Sequence, residues 1–171
     1  MKSSQNLFLI GPMGSGKSAV GRALAASLHR PFFDSDDVIE ERTGVDIPFI
    51  FEKEGEAGFR LRESRIIAEL SGREGIILAT GGGAIVNDEN RQHLGARGLV
   101  VYLRTSVEQQ LNRTSKGRER PLLSQSSDRR EVLDALMQER EPKYLEIADI
   151  VVVTDARKVR AVANEILEQL P

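Results

Sequence analysis

The stretch GPMGSGKS at residues 11–18 combines the residue types and the spacing that bind phosphate groups. It fits the pattern G-x-x-x-x-G-K-[ST] in full, with Gly11, Gly16, Lys17 and Ser18 at the fixed positions. Glycines let backbone N–H groups face phosphate oxygens, lysine supplies positive charge to the outer phosphates, and a serine hydroxyl can bind Mg²⁺. The pattern predicts a nucleoside triphosphate site but does not specify a reaction. A glycine-rich turn that binds nothing is the alternative.

A group of acids, FFDSDD at residues 32–37, follows a short apolar run. Asp34, Asp36 and Asp37 would lie at the carboxyl end of a strand, where ligands bind in open α/β sheets. One acid there can order the water molecules of a magnesium ion, and a second can accept a proton from an acceptor hydroxyl. Residues 35–37 also suit the start of a helix, so the spacing alone leaves catalysis and capping open.

Arginines form a third group of candidate residues. Arg60 follows EGEAGF, and Arg140 lies within EREPKY. The arginine fork fits a carboxylate or a phosphate with two hydrogen bonds, although any one arginine is more often a solvated surface side chain. The polar stretch at residues 112–125 holds four cations within a span of eight residues, although the net charge of the chain is −2. They are Arg113, Lys116, Arg118 and Arg120.

The stretch GIILATGGGAIV at residues 75–86 predicts a buried strand that runs into Gly81, Gly82 and Gly83. Many proteins with a phosphate-binding loop place a magnesium-binding acid at this point. Three glycines favour a close approach of the backbone to another group. A tight turn without further function is the alternative.

The elements that must position these residues follow from apolar periodicity. Strands are predicted at residues 6–10, 75–80, 98–103 and 149–154, with a weaker one at 31–34, and helices at 17–28, 59–70, 128–147 and 156–169. Short apolar strands that alternate with helices predict an α/β fold, with a parallel five-stranded sheet between two layers of helices. Residues 35–58 and 112–125 break the alternation, which predicts surface loops or functional segments such as a lid.

Composition narrows the function classes. With 171 residues, 40% of them apolar, the chain is predicted to form one soluble domain. The net charge of −2 argues against nucleic-acid and membrane partners, and the short apolar run at residues 7–10 argues against a secretion signal. The absence of cysteine excludes disulfides and fits a cytoplasmic protein, which is expected to be a monomer.

Taken in order, GPMGSGKS, FFDSD, GFR, TGGGAIV, RPLL and the pattern R-x-P-x-Y closely resemble the shikimate kinases, a P-loop kinase group related to nucleoside monophosphate kinases. The resemblance covers essentially the whole chain. The phosphate loop is shared by many families, whereas the ordered set of the other five motifs is specific. It implies a single kinase domain over residues 1–171, with an acceptor-binding segment at 35–61 and a mobile lid at 112–125.

The resemblance implies transfer of the γ-phosphoryl group of ATP to the 3-hydroxyl of shikimate, on the pathway to chorismate and the aromatic amino acids. ATP and shikimate would be the partners, and one Mg²⁺ ion the cofactor. The residues it assigns to catalysis are Lys17, Asp36 and Arg120. Ser18 would bind the metal directly, and Asp34 would bind it through water.

The same resemblance divides the binding residues into two sets. The residues implied to bind ATP are Gly14, Ser15, Gly16, Lys17, Ser18, Ala19, Arg113, Arg120 and Arg157. The residues implied to bind shikimate are Asp36, Arg60, Gly82 and Arg140, with the arginines on its carboxylate and Gly82 against its ring. For Gly81 and Gly83 a purely structural turn stays open.

One departure from the family pattern concerns the segment after the last strand. The family often carries Asn and Pro there, near the adenine, whereas this chain reads TDARKVRAV. Arg157 is the nearest match by position. Two other functions stay possible: a related sugar-acid kinase such as a gluconate kinase, and a non-catalytic module that only binds nucleotide.

Overall fold

The computed structural model describes residues 4–114 and 128–171. The strands are β1 Asn6–Ile10, β2 Phe32–Asp34, β3 Ile77–Ala79, β4 Gly98–Arg104 and β5 Ile150–Val153. The helices among these residues are α1 Lys17–Leu28, α2 Ser35–Thr43, α3 Ile47–Ser71, α4 Asp88–Arg97, α5 Val107–Thr114, α6 Arg129–Ile147 and α7 Val159–Gln169. A 3₁₀ turn, Ala84–Val86, follows the three glycines.

The five strands form one parallel sheet in the order β2-β3-β1-β4-β5. β1 is buried along its whole length because it has a strand on each edge and helices on each face. Phe8 and Ile10 face a core shared with α3, α4 and α6, while Leu7 and Leu9 face a core shared with α1 and α7. This arrangement confirms the predicted three-layer α/β fold.

The strand order explains where a ligand can bind. The chain moves from β1 to β2 and β3 on one side, and then crosses to β4 on the other side. Such a reversal opens a crevice at the carboxyl ends of the strands on either side of it. The phosphate-binding loop follows β1, the acids follow β2 and the three glycines follow β3, so all three groups reach the same edge.

The prediction of a loop at residues 35–58 is wrong, because these residues are mostly helical. Asp34 caps α2, and Asp46 caps α3 by accepting from the Phe49 N–H at 2.9 Å. The glycines that suggested a loop mark helix ends and breaks instead: Gly44, with φ 73°, ends α2, and Gly55, with φ 72° and ψ 178°, interrupts α3.

The helices also differ from the prediction. Helices α4 and α5 were not predicted, and the last three residues of α5, 112–114, belong to the stretch expected to be a loop. The remainder of the predicted lid, including Arg120, lies outside the described residues. Among the residues described, no helix has the length and apolar character needed to cross a membrane.

Gly21 tests how closely α1 packs on the sheet. It is buried in the helix, and a β-carbon added there would overlap the Phe32 ring, lying 3.0 Å from Cδ2 and 3.2 Å from Leu9 Cδ1. We expect Gly21→Ala to lower the free energy of unfolding by about 1–3 kcal/mol through overpacking, despite the better helix propensity of alanine. Urea denaturation measures this change.

Gly95→Ala is the matched control, since Gly95 also lies inside a helix and its added β-carbon would meet only Ile147 Cγ2, at 3.8 Å. This variant should gain roughly 0.5–1 kcal/mol from helix propensity alone. An equal gain in the free energy of unfolding in both variants would mean that Phe32 can move away from α1 without loss of stability.

Candidate active site

The phosphate-binding loop joins β1 to α1 in the conformation that its glycines allow. Gly14 and Gly16 have φ values of 80° and 88°, a left-handed conformation that other residues rarely adopt. Lys17 folds back over the loop, where its ammonium group donates to the carbonyls of Gly11 at 2.7 Å and Pro12 at 2.9 Å. Ser15 is buried beneath the loop. The loop therefore presents its backbone and one cation to the sheet edge.

Asp34 connects the loop to the second strand. Its Oδ2 accepts from the Ser18 hydroxyl, and its Oδ1 accepts from the N–H groups of Asp36 at 2.9 Å and Asp37 at 3.3 Å. Asp34 is thus the N-cap of α2, a role that the sequence had suggested for residues 35–37. Capping therefore falls on the side chain that is also predicted to bind the metal, while Asp36 and Asp37 lie in the first helical turn.

A cleft beside the loop, here called the phosphate-loop cleft, collects most of the predicted nucleotide and metal residues. Its lining includes Gly14, Gly16, Lys17, Ser18, Ala19, Asp34, Asp36, Gly81, Gly82 and Arg113. Cations from the loop and from α5 face carboxylates from the end of β2 across this cleft. Among the described residues there is no group of three or more His, Asp or Glu side chains that could hold a metal ion by themselves.

A second cleft, here called the arginine cleft, lies on the other side of the glycine turn. Its lining includes Arg60, Glu63 and Gly83, together with Arg140 from α6. Arg140 is only 5% exposed. The two predicted carboxylate-binding arginines therefore come together from helices that are distant in sequence, at the edge that also holds Asp36.

The three glycines separate these clefts, and none of them has a left-handed φ, so the reason for glycine is space. A β-carbon on Gly81 would lie 2.7 Å from Glu63 Oε2 and 3.1 Å from Asp36 Oδ1. One on Gly83 would overlap the Arg60 guanidinium, at 2.6 Å from Cζ. These side chains occupy the volume that any other residue would fill.

Gly82, the glycine that the family resemblance places against the shikimate ring, packs against the phosphate-binding loop. Its β-carbon would lie 3.2 Å from the Met13 backbone nitrogen and 3.6 Å from Arg140 Nη1. The three glycines thus contact, in order, the acids, the loop and the first arginine. For Gly81 and Gly83 these contacts are packing against candidate site residues, and a role in function stays a prediction.

Glu63 is a site residue that the sequence analysis missed. Its carboxylate is 1% exposed, and its Oε1 accepts from Arg60 Nη1 at 2.9 Å. Arg60 also pairs with Glu56 at 3.4 Å, so both acids orient this guanidinium. Burial raises the pKa of Glu63, while the positive charges of Arg60 and Arg140 oppose that shift. The i, i+3 spacing from Arg60 was visible in the sequence, but it did not show which nearby glutamate is buried.

Arg113 and Arg157, both implied to bind ATP, lie in different surroundings. Arg113 donates to the Gly14 carbonyl at 3.0 Å and to the Thr154 carbonyl at 3.2 Å, which holds it between the phosphate loop and the end of β5. Arg157 donates to the Val153 carbonyl at 3.0 Å and pairs with Glu165 of α7. Among described residues, Arg113 lines the phosphate-loop cleft and Arg157 does not. Their nucleotide roles stay predictions.

Comparison with known proteins identifies the family of this chain. The family model described as shikimate kinase matches residues 13–171. A shikimate kinase from Photobacterium profundum is 55% identical over 170 residues, which cover 99% of this chain and 97% of that protein. The chain belongs to the shikimate kinase family. The resemblance seen in the ordered motifs is thereby confirmed.

Two solved structures share the fold of this chain, but only one of them is also similar to it in sequence. A shikimate kinase from Acinetobacter baumannii, solved in complex with shikimate, matches with a TM-score of 0.94 and 48% identity, covering 98% of this chain and 93% of that one. A gluconokinase from Sinorhizobium meliloti 1021 matches with a TM-score of 0.62 and 18% identity, over 98% of this chain and 92% of that one. The second likeness shows a shared kinase fold alone.

The environment of Glu63 predicts how the stability of the fold depends on pH. Because burial raises the folded-state pKa of Glu63, the folded chain binds a proton more tightly than the unfolded chain does. The contribution of Glu63 to stability is then greatest at acidic pH and is lost as pH rises through the folded pKa. Glu63→Gln keeps the shape and mimics the protonated form.

We therefore expect the wild type to lose stability relative to Glu63→Gln as pH rises from about 4 to 8, measured by urea denaturation at each pH. Glu54→Gln is the control, since that exposed glutamate pairs with Arg62 and its pKa is lowered. A relative gain of wild-type stability with rising pH would show that Arg60 and Arg140 outweigh the burial of Glu63.

Proposed function

We propose that this chain transfers the γ-phosphoryl group of ATP to the 3-hydroxyl of shikimate, giving shikimate 3-phosphate and ADP. The observation that carries the proposal is the convergence of three features on one glycine turn: a phosphate-binding loop, the carboxylate of Asp36 and the pair Arg60 and Arg140. Family membership and the shikimate bound to the Acinetobacter baumannii relative support the same substrates.

The nucleotide is bound by the phosphate-loop cleft. Backbone N–H groups of residues 14–18 and the N-terminus of α1 face the phosphates, and Lys17 exchanges its loop carbonyls for phosphate oxygens. Arg113, at the same cleft, contributes on the adenine side. Arg120 closes over the phosphates from the lid, and Arg157 makes a further adenine contact. These two roles rest on the family resemblance.

One Mg²⁺ ion fits the oxygen ligands at the loop. Ser18 and Asp34 are hydrogen-bonded to each other and both line the phosphate-loop cleft, which suits a hard cation that takes most of its ligands from phosphates and water. When bound, the ion neutralises charge on the phosphate oxygens during transfer. Ser18 would contact it directly and Asp34 through water.

The acceptor is held between the two clefts. Arg60 and Arg140 bind the shikimate carboxylate, because guanidinium forks match a carboxylate better than a point charge does. Glu63 and Glu56 fix the orientation of the Arg60 fork before the ligand arrives. Gly82, whose missing side chain lets the phosphate-loop backbone and Arg140 come close, faces the ring as the family resemblance implies. This arrangement directs the ring hydroxyls away from the arginines and towards Asp36.

Asp36 then acts on the 3-hydroxyl. Its carboxylate accepts the hydroxyl proton as the oxygen forms a bond to the γ-phosphorus, while the bond from that phosphorus to the leaving ADP oxygen breaks. Lys17 stabilises the negative charge on the transferring group. Positioning by the arginines and charge stabilisation at the loop are the two main contributions to the rate.

A panel of acceptors tests the proposed function. With ATP and Mg²⁺, we expect ADP release with shikimate, with the product phosphate on the 3-oxygen by phosphorus NMR. A shikimate analogue without the carboxylate should bind poorly because Arg60 and Arg140 lose their ligand. Turnover of gluconate in preference to shikimate would support the sugar-acid kinase function instead. ATP binding without ADP release for any acceptor would indicate a non-catalytic module.

Replacement of the base gives a sharper test. Asp36→Asn should lower the turnover number by roughly 10²–10⁴, because the amide cannot accept the hydroxyl proton. Asp37→Asn is the matched control, since Asp37 lies in the same helical turn and its partly exposed carboxylate is 3.6 Å from Arg22. Its turnover should stay within a few-fold of the wild type. Equal losses in both variants would assign the effect to the helix terminus.

A further inference from the structure

Tyr144 of α6 connects the glycine turn to the arginine cleft. Its ring is 1% exposed, and its hydroxyl donates to the Gly82 carbonyl at 2.6 Å. Gly82 has no side chain that could fix its orientation, so this hydrogen bond is an important restraint on the peptide group that follows it. Because a trans peptide is planar, pointing the Gly82 carbonyl at Tyr144 also sets the direction of the Gly83 N–H.

Arg140, one helical turn earlier on α6, lines the same small cavity as Tyr144. Arg140 Nη1 lies 3.6 Å from the position of a β-carbon on Gly82. Burial raises the pKa of the Tyr144 phenol above its usual range, and Arg140 offsets this only in part. The hydroxyl therefore keeps its proton near neutral pH and stays a donor to the Gly82 carbonyl.

Tyr102 of β4 holds the ring of Tyr144 from the other side. The two rings stack with centroids 4.9 Å apart and an interplanar angle of 21°. Tyr102 is equally buried, but its hydroxyl donates to Glu141, which also pairs with Arg104 at 3.1 Å. The two tyrosines therefore share packing and differ in what their hydroxyls contact. Of these two hydroxyls, only that of Tyr144 is hydrogen-bonded to a described residue of the proposed acceptor site, namely Gly82.

We propose that Tyr144 is a positioning residue for the acceptor: its hydroxyl holds the Gly82 peptide in a fixed place beside the Arg140 guanidinium. The inference rests on the proposed function, since these two groups bind the carboxylate and face the ring. Without the hydroxyl, the arginine and the glycine turn would still be present but could shift independently. Such a site would bind the acceptor less well while the phosphate-binding loop stays intact.

Tyr144→Phe tests this inference, with Tyr102→Phe as the matched control. Each change removes one hydroxyl from the same stacked pair. We expect Tyr144→Phe to raise the KM for shikimate by about three- to tenfold, the factor for one ordinary hydrogen bond, with the KM for ATP unchanged. Tyr102→Phe should leave both constants unchanged. Equal changes in the two variants would mean that Tyr144 acts only by packing, and the inference would fail.

A second measurement does not require turnover. Amide hydrogen exchange of residues 81–84 in the ligand-free protein should be faster in Tyr144→Phe than in wild type, and unchanged in Tyr102→Phe. If the wild type does not phosphorylate shikimate, the proposed function fails, and this exchange still decides whether Tyr144 fixes the turn. Unchanged exchange in Tyr144→Phe would overturn the positioning role.

The buried position of Tyr144 calls for a second variant as well. Replacing it with 4-aminophenylalanine keeps a hydrogen-bond donor at the para position of the ring. This variant should bring the KM for shikimate to within about twofold of wild type, because the bond to Gly82 is retained. A KM as high as that of Tyr144→Phe, in a folded protein, would contradict the role assigned to the donor.

Discussion

The site depends on the lack of space for side chains at the carboxyl end of β3. Carboxylates from α2 and α3, guanidinium groups from α3 and α6, and the backbone of the phosphate loop all approach the turn at Gly81, Gly82 and Gly83. A single methyl group at any of the three would meet one of these groups at contact distance or closer. The close approach of opposite charges, partly removed from water, orients the Arg60 guanidinium at this turn.

The sheet could be predicted from sequence because its central strands, β1, β3 and most of β4, are buried on both faces. Such strands appear as short continuous apolar runs, and all five were located to within two residues at each end. The helices at residues 35–58 were missed because Gly44 and Gly55 were taken as signs of a loop. The pair of Asp46 and Pro48 at the start of α3 was the contrary sign, since both favour the first turn of a helix.

The candidate site was predictable only where local sequence determines geometry. The phosphate-binding loop has a fixed pattern, so its residues could be assigned by position. Glu63 could not, because EGEAGFRLRE contains three glutamates and only the packing of α3 against the turn buries that one. The roles of Gly81 and Gly83 depend likewise on side chains distant in sequence. The cap of α2 was expected among residues 35–37, but the hydrogen bonds show that Asp34 supplies it with one oxygen while its other oxygen accepts from Ser18.

The strand order also bears on how the chain assembles during synthesis. β1 is made before the other strands that the structure describes, but its Leu7 pairs with Ile77 of β3 and Leu99 of β4. Among the described residues β2 pairs with β3 and not with β1, so formation of the sheet must wait for contacts between residues far apart in sequence. The loop that follows β1 gains its second flanking strand only when β4 is added. A nascent chain shorter than this carries the phosphate-binding motif without the sheet edge that gives it shape.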